Sequence, residues 1–488
     1  MKWVVGLVVA LAVSPLAYAF PNSEPLAAQQ WYLEQDRAWS FWPEMPTLKL
    51  VKVAVIDSGI DYGHPEFAGR IVAGRSFVAS SWKRDSDGHG TFVAGLIAAD
   101  PANGQGIAGL AFNARLLIAK VVQPDGSVYI RGEAEAIRWA VRQGAQVINL
   151  SLGGLRDPVD SRLDTYLPGE RAAINYAVSK NVVIVAAVGN GTNAPTSPWP
   201  YADYPAALPH VLGVSALRQN GSVPDYSNRD PVFVDIAAPG DAMFSTVPRN
   251  LVDATQPDCV GQPYSNCGPA EFRDAIGTSF AAPQVSAAAA LLLGQDPKLT
   301  ADQVVWLLER SARDVNASNG CPICPPGRDS LTGWGRLDVQ AALIWLQKGV
   351  KLPRPDACEP NDDVNLACSF GPRRTISASL DYWDDPIDVY SIKLEKGRQL
   401  YLRLSSTTHR ALGLVLWKPG TPTVVGAAAV APDRAATSIA EGGQERISYL
   451  VQKSGTYYVE VKFRPPARGR ITYTLAVATR VGSGLLSG

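Results

Sequence analysis

Three residues that lie far apart in the chain carry the side-chain types that acyl transfer requires. Asp57 closes the apolar run Val51-Lys52-Val53-Ala54-Val55-Ile56, which reads as a buried strand, and is followed by Ser58-Gly59. His89 lies within Asp85-Ser86-Asp87-Gly88-His89-Gly90-Thr91-Phe92-Val93-Ala94-Gly95, at the expected start of a helix. Ser279 lies within Gly277-Thr278-Ser279-Phe280-Ala281-Ala282-Pro283, at the expected start of an Ala/Leu-rich helix. A serine hydroxyl attacks a carbonyl when a neutral histidine takes its proton and a carboxylate fixes the histidine tautomer and offsets its charge. A helix N-terminus has free N–H groups and favours negative charge, so donors for an oxyanion lie beside Ser279. Read singly, each of these residues is an ordinary turn or cap residue. The combination is what points to chemistry.

The elements around these residues follow a regular pattern. Leu116–Val122, Gln146–Leu150, Val182–Val188 and Val211–Val214 read as buried strands, and Gly132–Gln143 and Glu170–Ser179 as helices between them. Apolar strands alternating with helices predict an α/β fold with a doubly wound, mostly parallel sheet. In such sheets functional groups collect at the carboxyl ends of the strands, where Asp57 falls. The pattern stops near Ala341–Leu346, and Lys351-Leu352-Pro353-Arg354-Pro355-Asp356 reads as a Pro-rich linker. Beyond it Val389–Leu394, Gln399–Leu404, Gly413–Trp417, Thr456–Phe463 and Ile471–Val477 read as short strands separated by turns, the pattern of a small all-β sandwich. The expected organisation is a leader over 1–19, an α/β domain over 20–347, a linker over 348–357 and a β-sandwich over 358–480.

Composition narrows the partners. The chain has 488 residues, with Lys+Arg 45 and Asp+Glu 45, so its formal net charge is zero. That balance offers no electrostatic handle for nucleic acid or an acidic membrane surface. Lys2, the apolar stretch from Trp3 to Val13 and the Ala17-Tyr18-Ala19 cleavage pattern form a secretory signal peptide. No other stretch is apolar enough for a membrane span, so the chain is expected outside the cytoplasm, extracellular or periplasmic. The six cysteines suit that compartment and fall as Cys259/Cys267, Cys321/Cys324 and Cys358/Cys368. Nearest-neighbour disulfides are the simplest pairing among several. Zinc sites use similar spacings, but no histidine lies near these pairs.

Val55-Ile56-Asp57-Ser58-Gly59-Ile60-Asp61, Gly88-His89-Gly90-Thr91 and Gly277-Thr278-Ser279-Phe280-Ala281-Ala282-Pro283 resemble, in that order, the three active-site signatures of the subtilase family of serine proteases. The resemblance covers roughly residues 25–347. It implies a serine endopeptidase acting on proteins or peptides through Asp57, His89 and Ser279, with no cofactor needed for the chemistry. By the same resemblance, Asn190 in Ala186-Ala187-Val188-Gly189-Asn190-Gly191 completes the oxyanion hole beside the Ser279 N–H. Ser151, Leu152 and Gly153 belong to a segment that pairs with extended substrate and walls the primary specificity pocket. Asp203 in Asp203-Tyr204-Pro205 falls at the floor of that pocket, where a carboxylate would pair with lysine or arginine of the substrate. The alternative is that Asp203 caps a turn and faces water.

Further features follow from the resemblance. Calcium is a family habit, and the loop Asp100–Ile107 follows the His89 helix where a calcium loop often lies, with Asn103 and Glu66 as oxygen donors; an ordinary surface turn is the other reading. Gln29 through Trp39 resembles the start of a mature catalytic domain, which leaves no room for a folded propeptide before Asp57. Gly333-Trp334-Gly335-Arg336-Leu337-Asp338 resembles the loop that closes the catalytic domain. The C-terminal segments Cys358–Asp362, Asp384–Gly397 and Ser454–Val461 resemble the bacterial pre-peptidase C-terminal domain. His64 reads as structural, and His210 and His409 as solvated or otherwise satisfied. A catalytically dead binding module and a dedicated processing enzyme or ligase are the competing classes, and the intact triad with Asn190 speaks against the first.

Overall fold

The computed structural model describes residues 24–481, apart from 40–41, 43–44, 124–125, 193, 253–270, 355, 357, 409–410, 426–428, 430 and 442–443. The leader over 1–19, the Cys259/Cys267 pair and His409 therefore lie outside the described residues. In strand β1 (Val51–Asp57), Val51, Val53 and Val55 enter one hydrophobic core and Ala54 and Ile56 another, on the opposite face. A strand apolar on both faces needs cover on both sides. The remaining strands of its sheet are β2 (Ile71–Ser76), β3 (Ala114–Lys120), β4 (Val147–Leu150), β5 (Val183–Ala187), β6 (Val211–Leu217) and β7 (Ile236–Pro239). They form a 7-stranded sheet in the order β2-β3-β1-β4-β5-β6-β7 with every pair parallel. The order turns back at β1, between β3 and β4, which opens a crevice at the carboxyl ends of the strands.

The helices are α1 (Trp31–Gln35), α2 (His89–Ala98), α3 (Ile130–Arg142), α4 (Pro168–Val178), α5 (Thr278–Gln295), α6 (Ala301–Ser311) and α7 (Val339–Gln347). α2, α5, α6 and α7 pack on one face of the sheet, and α3 and α4 on the other. α5 is buried along almost its whole length, which explains why its sequence has no polar stripe. The hairpin of β8 (Met243–Thr246) and β9 (Phe272–Ala275) leads into it. Residues 24–36 are part of the same body. The Gln30 Nε2 donates to Ala108 O (2.8 Å), Ala108 N–H donates to Gln30 Oε1 (2.9 Å), and Tyr32 OH donates to Phe244 O (2.7 Å). Two strands of the parallel sheet escaped sequence reading for physical reasons. β2 is a half-exposed edge strand without an apolar run, and β7 is very short.

Beyond α7 come β10 (Cys368–Ser369), β11 (Thr375–Asp381), β12 (Ile387–Leu394), β13 (Arg398–Ser406), β14 (Leu412–Trp417), β15 (Arg434–Thr437), β16 (Ile439–Glu441), β17 (Gln444–Leu450), β18 (Gly455–Phe463) and β19 (Arg470–Val481). They make two 5-stranded sheets, β10-β12-β18-β14-β15 and β11-β19-β13-β17-β16, face to face over a core that includes Leu402, Leu414, Val459 and Leu475. This is a β-sandwich. Cys321–Cys324 and Cys358–Cys368 are disulfides. Among the described residues no helix is long and apolar enough to cross a membrane.

The Pro-rich segment is not a free spacer. Leu352 packs on the α/β core, and Gln303 of α6 donates to Pro353 O (2.9 Å). The sandwich itself touches the α/β body. Trp383 meets Trp334 edge-on at 5.2 Å between centroids, with Arg328 over it at 4.6 Å. His210 N–H donates to Asp384 O (3.1 Å).

Candidate active site

Asp57 ends β1 with its side chain 2% exposed, and His89 opens α2 beside it. His89 Nδ1 lies 2.9 Å from Asp57 Oδ1 and 3.0 Å from Oδ2. The close approach of α2 to the β1 turn depends on Gly90, where a Cβ would stand 2.3 Å from Gly59 O. Burial alone would lower the imidazole's pKa. The Asp57 carboxylate outweighs that, Asp87 and Asp85 add to it, and His89 is pushed up to about 9.

Asp85 is a residue the sequence analysis quoted without giving it a role. It is fully buried and gathers the whole junction. Its Oδ1 accepts from Gly88 N–H (2.8 Å), Asp87 N–H (3.1 Å) and the Ser58 hydroxyl (2.8 Å). Its Oδ2 accepts from the N–H (2.9 Å) and hydroxyl (2.7 Å) of Thr91. Ser58 Oγ in turn accepts from Gly90 N–H at 2.8 Å. One carboxylate thus ties the residue after Asp57 to the turn that carries His89. The sequence signal was an aspartate just ahead of a helix start, the pattern of a cap.

Ser279 occupies the first turn of α5, whose leading N–H groups have no partner within the helix. The His89 ring packs on Phe280, the next residue, at 5.2 Å between centroids, which brings the imidazole to the serine's turn. Ser279 Oγ donates to Ser151 O (3.0 Å), and Ser151 Oγ donates to Ser279 O (2.6 Å). Asn149 Nδ2 donates to Ser151 Oγ (2.9 Å) while its Oδ1 accepts from Ser286 (2.8 Å), so the end of β4 is fastened to α5. The Ser279 hydroxyl thus rests on a main-chain carbonyl. Asn190, just past β5, has its Oδ1 held by the N–H and hydroxyl of Thr278, both at 2.9 Å. Those two donors fix the amide orientation, with Oδ1 toward Thr278.

That cleft, of about 520 Å³, is lined by Leu152, Gly153, Ala187, Asn190, Asp203 and Ser279 among others. Its wall is a short antiparallel bridge, with Gly154 N–H donating to Tyr204 O (2.8 Å) and Tyr204 N–H to Gly154 O (2.9 Å). Asp203 lines the cleft and is half-buried. Its carboxylate lies against Gly189, where φ is 100° and a Cβ would come within 2.1 Å of Asp203 Oδ2. Burial pushes its pKa up to about 7, opposed by donors at Arg156 and Asn228; Asn228 Nδ2 donates to Oδ1 at 3.1 Å.

The loop after α2 does not make a cation cage. Asn103 turns its NH₂ toward Glu66 Oε2 (3.2 Å), and Ile107 N–H donates to Glu66 Oε1 (3.0 Å). Hydrogen-bond donors stand where calcium would need lone pairs, so Glu66 and Asn103 do not fit the expected calcium ligands. His64 is structural, accepting from Glu66 N–H (3.3 Å) in a short 3₁₀ turn. His210 is not solvated, because its side chain is only 5% exposed and faces the β-sandwich.

Comparison with known proteins places the chain in a family. The sequence pattern of the subtilase family matches residues 49–335. Thermitase of Thermoactinomyces vulgaris is 33% identical over 276 residues, covering 56% of this chain and 86% of that one. Subtilisin E of Bacillus subtilis is 36% identical over 330 residues, covering 67% of this chain and 73% of that one. The thermophilic serine proteinase of Bacillus sp. strain AK1 is 35% identical over 245 residues, which cover 50% of this chain but only 52% of that relative's length. In fold, the chain is similar to a psychrophilic subtilisin-like protease of Pseudoalteromonas sp. AS-11, with a TM-score of 0.53 at 21% identity, over 66% of this chain and 99% of that one. With more than half its length matched, the chain belongs to the subtilase family.

Proposed function

We propose that the protein is an exported serine endopeptidase that hydrolyses peptide bonds through Asp57, His89 and Ser279. The observation that carries this reading is the buried Asp57–His89 pair, whose imidazole packs on Phe280 next to Ser279, the serine that lines the cleft. In the proposed cycle, neutral His89 takes the proton of Ser279 Oγ as that oxygen attacks the scissile carbonyl. Asp57 holds the tautomer and offsets the imidazolium charge. The oxyanion is held by the Ser279 N–H and the Asn190 amide. His89 then gives its proton to the departing amine, and water, deprotonated by His89, hydrolyses the acyl-enzyme to free Ser279. Every step is assigned to a group of this chain.

Residues Ser151–Gly154 would pair with the main chain of an extended peptide, so that the residue before the scissile bond enters the cleft. Among the described residues Asp203 has no cationic partner, and a lysine or arginine side chain of the substrate would supply one. Export rests on Lys2, the apolar stretch and Ala17-Tyr18-Ala19. In this reading residues 20–347 are the catalytic unit, 348–357 join it to the sandwich, and 358–480 are a module similar to the pre-peptidase C-terminal domain.

Ser279→Ala is expected to lower kcat/KM on peptides by at least about 10⁴-fold with the fold intact, since triad members act as a unit. A serine-directed phosphonylating reagent should label Ser279 alone. Near-normal activity in that variant, or labelling elsewhere, would contradict the assignment, and an inert wild type would favour a binding module. On peptides that differ only before the scissile bond, the wild type should prefer lysine and arginine, the more so as pH rises through about 7 and Asp203 ionises. Asp203→Ala should lose that preference; a wild-type preference for Phe or Leu, unchanged in the variant, removes Asp203 from specificity.

Acid–base behaviour gives a separate check. His89 must be neutral to act as base, so kcat/KM should rise with pH along a limb centred near 9, well above the ordinary histidine value of about 6.5. Asp85→Asn removes one negative charge from beside the imidazole and loosens its turn. The limb should move to lower pH by roughly half a unit to one unit, and kcat should fall by about tenfold while KM changes little. An unmoved limb would mean that Asp85 supports the fold but does not position His89.

A further inference from the structure

The junction between the α/β body and the β-sandwich holds a second group of chemistry-bearing side chains that peptide hydrolysis does not use. His210 immediately precedes β6 on the α/β side. Glu359 and Asp362 lie before β10, and Asp385 lies between β11 and β12, all on the sandwich side. Each offers a ligand-type atom, and these atoms lie within 4.8 Å of one another. His210 Nε2 is 3.3 Å from Glu359 Oε2 and 3.5 Å from Asp362 Oδ1.

Three facts distinguish this group from an ordinary acidic cluster. First, it is buried but unsatisfied. Asp362 is 2% exposed, yet neither of its carboxylate oxygens has a hydrogen-bond partner; His210 Nε2, Glu359 Oε1 and Asp385 Oδ1 also lack one. Buried polar atoms are almost always satisfied, and a buried carboxylate without donors is strongly disfavoured. Second, its charge is compensated only in part, by the single His210 imidazole that pairs with Glu359 and Asp362. Among the described residues no lysine or arginine forms an ion pair with these three acids, whereas the neighbouring Asp235 is paired with Arg328 at 3.2 Å. Third, there is room. A cavity of about 40 Å³ borders His210, Glu359 and Asp385, more than one small ion needs.

The spacing also selects the kind of ion. Zinc binds imidazole nitrogen and carboxylate oxygen at about 2.0–2.2 Å with tetrahedral geometry, which sets neighbouring ligand atoms about 3.3–3.6 Å apart. The two His210 separations match those edges. Calcium takes oxygen ligands alone, so an imidazole aimed into the group argues against it. We propose that His210, Glu359, Asp362 and Asp385 bind one divalent transition-metal cation of the zinc type, which clamps the β-sandwich onto the α/β body. A bound cation would satisfy the orphaned atoms and neutralise the carboxylates in one step. Because the ligands come from both parts of the chain, its binding energy would add directly to the stability of their docking. It would also anchor the end of the segment that runs from Asp203 in the cleft to His210.

The test uses the full chain, stripped with EDTA and dialysed into metal-free buffer, with zinc, calcium and cobalt as separate probes. Zinc should be retained at one ion per chain through gel filtration, and at saturation it should raise Tm by about 3–5 °C. Calcium at the same concentration should leave Tm unchanged. Cobalt should give the intense visible d–d absorption of a tetrahedral site. Asp362→Asn and His210→Ala should each weaken zinc binding by at least about tenfold, with the far-ultraviolet circular dichroism of the wild type. If either variant fails to fold, the wild-type zinc stoichiometry and cobalt spectrum decide. No retained zinc, zinc retained equally by both folded variants, an octahedral cobalt spectrum, or a calcium response equal to that of zinc would each overturn the proposal.

Discussion

The candidate site depends on one buried ion pair, that of Asp57 with His89. Taking a carboxylate and an imidazole out of water is costly for each alone, and their mutual attraction offsets the cost only when the geometry is held. The chain holds it at the single point where β1 ends and α2 begins. Gly90 permits the contact and Asp85 fastens it, accepting hydrogen bonds from Ser58 on one side and from Asp87, Gly88 and Thr91 on the other. The same pairing raises the affinity of His89 for its proton, so a contact that organises the fold also sets the strength of the base.

The sheet order does the rest of the positioning. Asp57, Ser151 and Asn190 follow the carboxyl ends of β1, β4 and β5, which are neighbours in the sheet, and α5 runs across the same face. α5 is apolar all round and so has one place to go, the core between the sheet and α2. Its buried body fixes its first turn, and with it Ser279. Carboxylates near this frame receive unlike treatment. Asp57 has an imidazole; Asp203 has neutral donors and no cation, which leaves its charge to be completed by whatever enters the cleft.

How much of this could be read in advance varied with the kind of physics involved. β1, β3, β4, β5 and β6 were legible because strands covered on both faces are written as uninterrupted apolar runs, and the motifs around Asp57, His89 and Ser279 were legible because the chemistry needs those residue types. β2 was not legible, since an edge strand carries no such run. Asp85 was given no role in the sequence, because its role lies in contacts made across the fold. The Pro-rich segment was legible as stiff, but composition does not say what a stiff segment packs against; here it is α6. His210 was read as solvated or satisfied; it is buried rather than solvated, and its carboxylate neighbours lie far along the chain, in a different sheet system, where no local motif announces them. Glu66 and Asn103 lie close together as expected, but they meet donor to acceptor rather than as two oxygen ligands.

The central claim is that the Asp57–His89 pair, buried and braced by Asp85, sets the proton affinity of the base. Nuclear magnetic resonance of the His89 imidazole, selectively labelled with ¹⁵N and followed across pH, measures that affinity directly and without turnover. The account predicts a titration centred near 9, with the Nδ1 proton retained on the side facing Asp57 when the ring is neutral. A titration at or below about 6.5, the value of an unperturbed histidine, would contradict it.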